Sequence, residues 1–383
     1  MADSKTIYTD DGTPIPWIEK DKNEYLDKVT LVYGGTNSGK STLIEEIMYL
    51  CKDSIPNFLV IAPSTSTATY KEKLPSRCIK EDFNKKLLLT VWKRQCAITQ
   101  IYNIANDSLV LESLFNKIPS RETSIIVSAM SQSAEKHRVL VNSNDTMNFA
   151  QKKTQISAID AQLNKKLKAM YKKTIERFKS NLQSMNLSDK ETIALEYLNI
   201  NPRLMLIIDD RSEQFKGWMK LFKKGETNPI ESIFYRGRHN YITAIIACHD
   251  DKLLDTELRK NARIAIYADN TAVTSSLNKS GSGFSPQEKK LMFKIAGKIF
   301  EDIGHIKHHQ KFVFVRNSPV PYRYTIADLY PDFELGCAPM RSLVQAMPQI
   351  DDRLEENPFV KDLVDSGHQV KRLASKSALE RYG

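Results

Sequence analysis

Eight consecutive residues, Gly34-Gly35-Thr36-Asn37-Ser38-Gly39-Lys40-Ser41, fit the pattern GxxxxGK[ST] and carry the most chemistry in this sequence. Glycines at these positions let backbone N–H groups turn inward around phosphate oxygens, and the start of a following helix adds the positive end of its dipole. In such a loop Lys40 reaches the β and γ phosphates and the Ser41 hydroxyl is a ligand for Mg2+. The expected ligand is therefore ATP with Mg2+, held by Gly34, Gly35, Thr36, Asn37, Ser38, Gly39, Lys40, Ser41 and the adjoining Thr42.

A second group of residues narrows the reaction. Leu204-Met205-Leu206-Ile207-Ile208 is an apolar run that ends in two carboxylates, Asp209 and Asp210. The first acid after such a strand is placed to hold the metal, so Asp209 joins Ser41 as an expected Mg2+ ligand. The second, Asp210, is placed to orient or deprotonate an attacking water. A kinase that moves a phosphoryl group to a bound acceptor does not need that second acid. The sequence also lacks the NKxD of guanine recognition and an LSGGQ-like signature. An ATP-hydrolysing enzyme of the additional-strand class is what remains.

These residues need elements to place them. Residues 28–33 form a short β-branched run that stops at a glycine pair, which reads as a buried strand, and residues 41–50 carry apolar side chains at helical spacing. Further strands are expected at 58–62, 87–92, 204–208, 241–248, 262–267 and 312–315. Strands that alternate with helices imply an α/β fold with a mainly parallel central sheet covered on both faces. Asn228-Pro229-Ile230-Glu231 and Ser285-Pro286-Gln287-Glu288 each combine a capping residue, a first-turn proline and a glutamate, marking two helix starts.

Residues 142–201 break the strand rhythm, and 151–185 contain no Gly or Pro, so a helical insert, a hairpin or a coiled pair, is expected there. This stretch holds nine Lys and Arg (among them Lys152, Lys153, Lys165 and Lys166) against only Asp160 and Glu176. It therefore supplies much of the net charge of +10. A basic surface of this kind suits either a phosphate-contacting arm or a solvated helix. The organisation that follows is an N-terminal segment at 1–27, a nucleotide-binding domain at 28–340 and a charged tail at 341–383.

The five cysteines are far apart and never in CxxC spacing, so neither a disulfide framework nor a zinc ribbon is suggested. No apolar run approaches the roughly 18 residues of a membrane span, and Met1-Ala2-Asp3-Ser4-Lys5 lacks the apolar core of a signal peptide. The expectation is an intracellular protein. His305, His308 and His309 cluster without a nearby cysteine, which reads as a loop rather than a metal centre, and Ser280-Gly281-Ser282-Gly283 reads as a linker. Tyr33, Trp92, Phe215, Trp218 and Phe234 are expected to fill the core.

After the acidic pair come Tyr235-Arg236-Gly237-Arg238-His239-Asn240-Tyr241, an apolar run to Cys248-His249, and Leu258-Arg259-Lys260-Asn261-Ala262-Arg263. With the phosphate loop, Ala62-Pro63-Ser64 and Asp209-Asp210, these blocks resemble the poxvirus-type DNA-packaging ATPases of large cytoplasmic DNA viruses, a branch of the FtsK–HerA superfamily of DNA pumps. The resemblance spans roughly 29–267 without the basic insert. It implies a RecA/FtsK-like P-loop domain, a homo-oligomeric ring and translocation of double-stranded DNA without base specificity into a capsid. It further implies capsid or portal-like vertex partners, and residence in the host cytoplasm and the virion. His249 stands where that superfamily commonly has a glutamine sensor, a departure. Arg236 and Arg238, ahead of Arg259, are the residues such a ring would present to a neighbour's nucleotide. A cellular HerA-like translocase and a non-motor P-loop phosphotransferase or nucleotide switch remain as alternatives.

Overall fold

Every second residue of the strand that feeds the phosphate loop packs on one side of the sheet. Val29, Leu31 and Tyr33 join one apolar cluster and Val32 the other, so β3 (Val29–Tyr33) is buried on both faces. The same alternation runs through β6 (Leu204–Asp209), where Leu204, Leu206 and Ile208 face one cluster and Met205 and Ile207 the other. Two-sided burial is what a parallel sheet between helical layers requires. The computed structural model in which this is seen describes residues 6–119, 121–211, 214, 217–218, 221–223, 225–249, 254–278, 284–301, 310–338 and 341.

A small antiparallel pair, β1 (Ile7–Tyr8) and β2 (Pro14–Ile15), precedes the main sheet. The main sheet also contains β4 (Asn57–Ile61), β5 (Ile79–Lys80), β7 (Ile242–Cys248), β8 (Ile264–Tyr267), β9 (Gln310–Val315) and β10 (Tyr322–Ile326). Its order is β10-β9-β8-β3-β7-β6-β4-β5. The strands from β8 through β5 are parallel, and β9 and β10 form an antiparallel edge. The strand β7 lies between β3 and β6, which is the additional strand expected between the phosphate loop and the acidic pair.

Short α1 (Lys22–Tyr25) leads into β3, and α2 (Lys40–Cys51) leaves the phosphate loop with Leu43, Ile44, Ile47, Met48 and Cys51 buried on one face. α3 (Thr67–Lys71) follows β4. Residues 87–92, read from the sequence as a strand, lie instead inside α4 (Lys85–Ala105). Leu88, Trp92, Gln95 and Thr99 are among its buried positions, at three- and four-residue spacing, and the Asn84 side chain caps its start by accepting from Leu87 N–H at 2.8 Å. A six-residue apolar run shows too little of either period to separate strand from helix.

The helical region between β5 and β6 opens at Lys85, well before the expected boundary at 142. It continues through α5 (Ser108–Asn116), α6 (Arg121–Asn142), α7 (Phe149–Arg177), α8 (Lys179–Gln183) and α9 (Asp189–Glu196). α6 and α7 form the hairpin, closed by a capping box of Asn148 with Gln151 and by the Arg138–Asp160 ion pair at 2.6 Å. Leu111, Leu114, Phe115, Tyr171, Ile175 and Leu182 are among the residues of a separate apolar cluster at its base.

Both marked helix starts are present. Asn228 Oδ1 accepts from Ile230 and Glu231 N–H at the head of the helix Pro229–Arg236, and Ser285 and Glu288 form a capping box at the head of Pro286–Ile299. The N-terminal segment is not separate from the domain: Ile18 N–H donates to the Tyr324 carbonyl and Tyr324 N–H to that of Pro16. One compact unit runs to Leu335. The expected tail lies, beyond Arg341, outside the described residues, as do Phe215, the 280–283 linker and the histidine cluster. Tyr33, Trp92, Trp218 and Phe234 are buried as expected, and the five cysteines are free.

Candidate active site

In a parallel sheet the loops after successive strands gather at one edge. Here the phosphate loop follows β3, Asp210 follows β6, His249 follows β7 and Asp269 lies just beyond β8, so all four meet at the C-terminal edge. The loop geometry explains its glycines. A Cβ on Gly34 would come within 2.5 Å of Ser38 Oγ and 2.8 Å of Ala268 Cβ. Gly39 caps α2 with φ of 78°, in the left-handed region that glycine adopts without strain.

Lys40 bends back over this loop, its Nζ donating to the Gly34 carbonyl at 2.7 Å and the Gly35 carbonyl at 2.8 Å. Burial lowers its pKa, and the charges of Asp210, Asp209 and Asp269 oppose that shift, so three carboxylates surround this ammonium. Such a mouth, a glycine cradle with one inward lysine, an exposed Ser41 at the first turn and carboxylates opposite, fits a nucleoside triphosphate with Mg2+.

Asp209, the last residue of β6, is 5% exposed. Its Oδ2 accepts from the Tyr70 hydroxyl at 2.8 Å. Burial pushes its pKa up, while the Tyr70 hydrogen bond and the Lys40 charge pull it down. Asp210 turns away at φ of 50°, a left-handed conformation that aspartate tolerates better than most residues. That turn exposes its carboxylate, and Asp210 Oδ1 lies 2.8 Å from His249 Nε2.

Arg236 and Arg238 do not join this cluster. They precede β7 and so lie at the opposite edge of the sheet, on the order of 20 Å away along strands of five to seven residues. Arg236 donates to Ser232 Oγ at 3.0 Å and stacks over Trp92 with 5.5 Å to the ring centroid. Arg238 donates to His239 and lines a cleft of about 500 Å³ together with Lys28, Lys260, Arg263 and Arg316. Asp27, also in that lining, is paired with Arg203 at 3.2 Å.

Three residues at the phosphate-loop edge were not singled out from sequence: Tyr70, Asp269 and Lys311. Asp269 Oδ2 accepts from Gly35 N–H at 2.9 Å, and its Oδ1 caps the helix Asn270–Leu277 by accepting from Ala272 N–H at 2.7 Å. Lys311 Nζ donates to the Ser38 carbonyl at 2.8 Å, and burial brings its pKa down to about 8. An aspartate just after the apolar strand run and a lysine inside one were available signals. Nothing around Tyr70 marked it.

No family model matches the chain. It is 28% identical over 360 residues to protein B354L of an African swine fever virus isolate from Kenya, covering 89% of this chain and 94% of the relative. B354L of an isolate from Namibia is 29% identical over 327 residues, covering 81% of this chain and 84% of the relative. Among solved structures, the genome packaging NTPase B204 of Sulfolobus turreted icosahedral virus 2 in complex with AMP is similar with a TM-score of 0.36 at 11% identity, covering 82% of this chain and 100% of that one. The bacterial conjugative coupling protein TrwB is similar with a TM-score of 0.34 at 12% identity, covering 87% and 90%. By its own strand order and phosphate loop, the chain has the additional-strand P-loop NTPase fold, and over most of its length it is similar to a protein of a large DNA virus.

Proposed function

We propose that the chain hydrolyses ATP to drive double-stranded DNA, without base specificity, into a viral capsid as a homo-oligomeric ring. The observation that carries this reading is the meeting of Lys40, Asp209, Asp210 and His249 at one edge of the sheet, with an arginine-lined cleft at the other. Lys40 and the N–H groups at the start of α2 bind the β and γ phosphates. Ser41 and Asp209 hold Mg2+, which when bound neutralises charge on those phosphate oxygens. Asp210 takes up or orients the water proton, and His249 holds the Asp210 carboxylate toward the mouth.

Arg236 or Arg238, too far from the phosphate loop of its own chain, serves a neighbour's nucleotide across a ring interface. Arg238 suits this better, since Arg236 is already engaged with Ser232 and Trp92. The basic face of α7 contacts DNA phosphates. A viral relative supports the viral setting, with capsid or portal-like vertex proteins as partners and the host cytoplasm and virion as locations. Among the described residues no helix is long and apolar enough to cross a membrane.

The test is ATP turnover with and without long duplex DNA, alongside the mass of the assembly. Arg238→Ala is expected to bind ATP yet turn over poorly, and mixing it with Lys40→Ala is expected to restore part of the DNA-stimulated rate. Full activity in a monomer, or turnover indifferent to DNA, rejects the motor.

A further inference from the structure

Lys311 is a lysine with no exposed surface, set in a strand whose six residues are all buried. Removing an ammonium from water costs several kcal/mol unless acceptors replace the lost hydration. A lysine in this place therefore calls for an explanation beyond packing. β9 is separated from β3 by β8, about 10 Å at the usual strand spacing. The Lys311 side chain leaves β9 and ends at the phosphate loop that follows β3, with Nζ 2.8 Å from the Ser38 carbonyl oxygen.

The target atom matters. In a planar trans peptide the C=O and N–H point in opposite directions. Holding the Ser38 carbonyl toward Lys311 therefore turns the Gly39 N–H the other way, and Gly39 is the residue whose φ of 78° starts α2. The other arm of the loop is held as well, since Asp269 Oδ2 accepts from Gly35 N–H at 2.9 Å while its Oδ1 caps the next helix. Between them these two side chains, both from the part of the chain after β8, grip the loop at its second and fifth positions.

We propose that Lys311 is a positioning residue for the phosphate loop. It fixes the Ser38–Gly39 peptide in the orientation that offers N–H groups to phosphate, and it places a second positive charge behind the loop in addition to Lys40. This role rests on the reading that the loop binds ATP.

The test compares Lys311→Met, which keeps length and loses the donor and charge, with Lys311→Arg, which keeps both. A fluorescent ATP analogue is titrated against the full chain, with steady-state turnover and duplex DNA binding measured in parallel. Lys311→Met is expected to weaken nucleotide affinity about tenfold or more, as loss of a charged hydrogen bond implies. The loss is expected in KM rather than kcat, with DNA affinity unchanged and partial recovery in Lys311→Arg. Wild-type nucleotide affinity in Lys311→Met overturns the proposal. If that variant does not fold, Lys311→Leu, which also lacks the donor and the charge, carries the same comparison, and affinity equal to wild type overturns it likewise. A wild-type chain that binds no nucleotide at all overturns the underlying reading as well, and is told apart by its indifference to Lys40→Ala.

Discussion

The Nε2 atom of His249 lies 2.8 Å from Oδ1 of Asp210, joining the residue after β7 to the residue after β6 at the mouth of the phosphate loop. An ionised carboxylate only accepts hydrogen bonds, so Nε2 carries the proton of this pair. The histidine thereby orients the acid proposed to act on water. Asp210→Asn is expected to slow single-turnover hydrolysis about 10²-fold or more while nucleotide still binds. His249→Gln, which retains a donor, is expected to lose less than His249→Ala. Normal hydrolysis by Asp210→Asn would remove this acid from the mechanism.

Tyr70 and Asp209 form the second polar pair of the site, and both are buried. Tyr70→Phe leaves one carboxylate oxygen without its donor, at a cost of about 1 to 3 kcal/mol. Chemical denaturation should register that loss, and Mg2+-dependent nucleotide binding should weaken with it. Unchanged stability and unchanged Mg2+ dependence would show that the hydroxyl is dispensable.

The basic hairpin offers a test by charge rather than by deletion. Removing 151–185 would take away Tyr171, Ile175 and Leu182, which anchor the third apolar cluster. Changing the exposed Lys153, Lys165 and Lys166 to Gln spares that anchor. If α7 binds DNA, the slope of log affinity against log salt should become shallower by about 0.9 for each phosphate that is no longer neutralised. An unchanged slope assigns the hairpin to something other than DNA.

Lys311 makes a prediction in pH. Its folded pKa of about 8 lies below the ordinary lysine value of 10.5, with burial as the cause and the Asp269 charge opposing it. Between those values the unfolded chain holds a proton that the folded chain has released, so stability from this group rises with pH. It is lost as pH falls toward 8. The stability difference between wild type and Lys311→Met should therefore tilt toward wild type from pH 7.5 to 9.5. A flat difference would mean that the folded chain keeps the Lys311 proton across this range as the unfolded chain does, and that burial exerts no pull on it.

The phosphate loop, the acidic pair and the parallel sheet were legible in the sequence because each rests on local chemistry. Gly34 answers to crowding by the Ser38 and Ala268 side chains and Gly39 to a left-handed φ, and the apolar run before Asp209, closed by its acidic pair, reads as a strand buried on both faces. The strand reading of 87–92 failed because a short apolar run lacks a period, and only packing against the sheet shows α4 presenting Leu88, Trp92, Gln95 and Thr99. Nothing local links Tyr70 to Asp209 across 139 positions, or Lys311 to Ser38 across 273. Those pairings, and the separation of Arg238 from the phosphate loop of its own chain, were decided by the order of strands in the sheet. Parallel strands send their following loops to one edge and their preceding turns to the other, whatever the sequence distance between them.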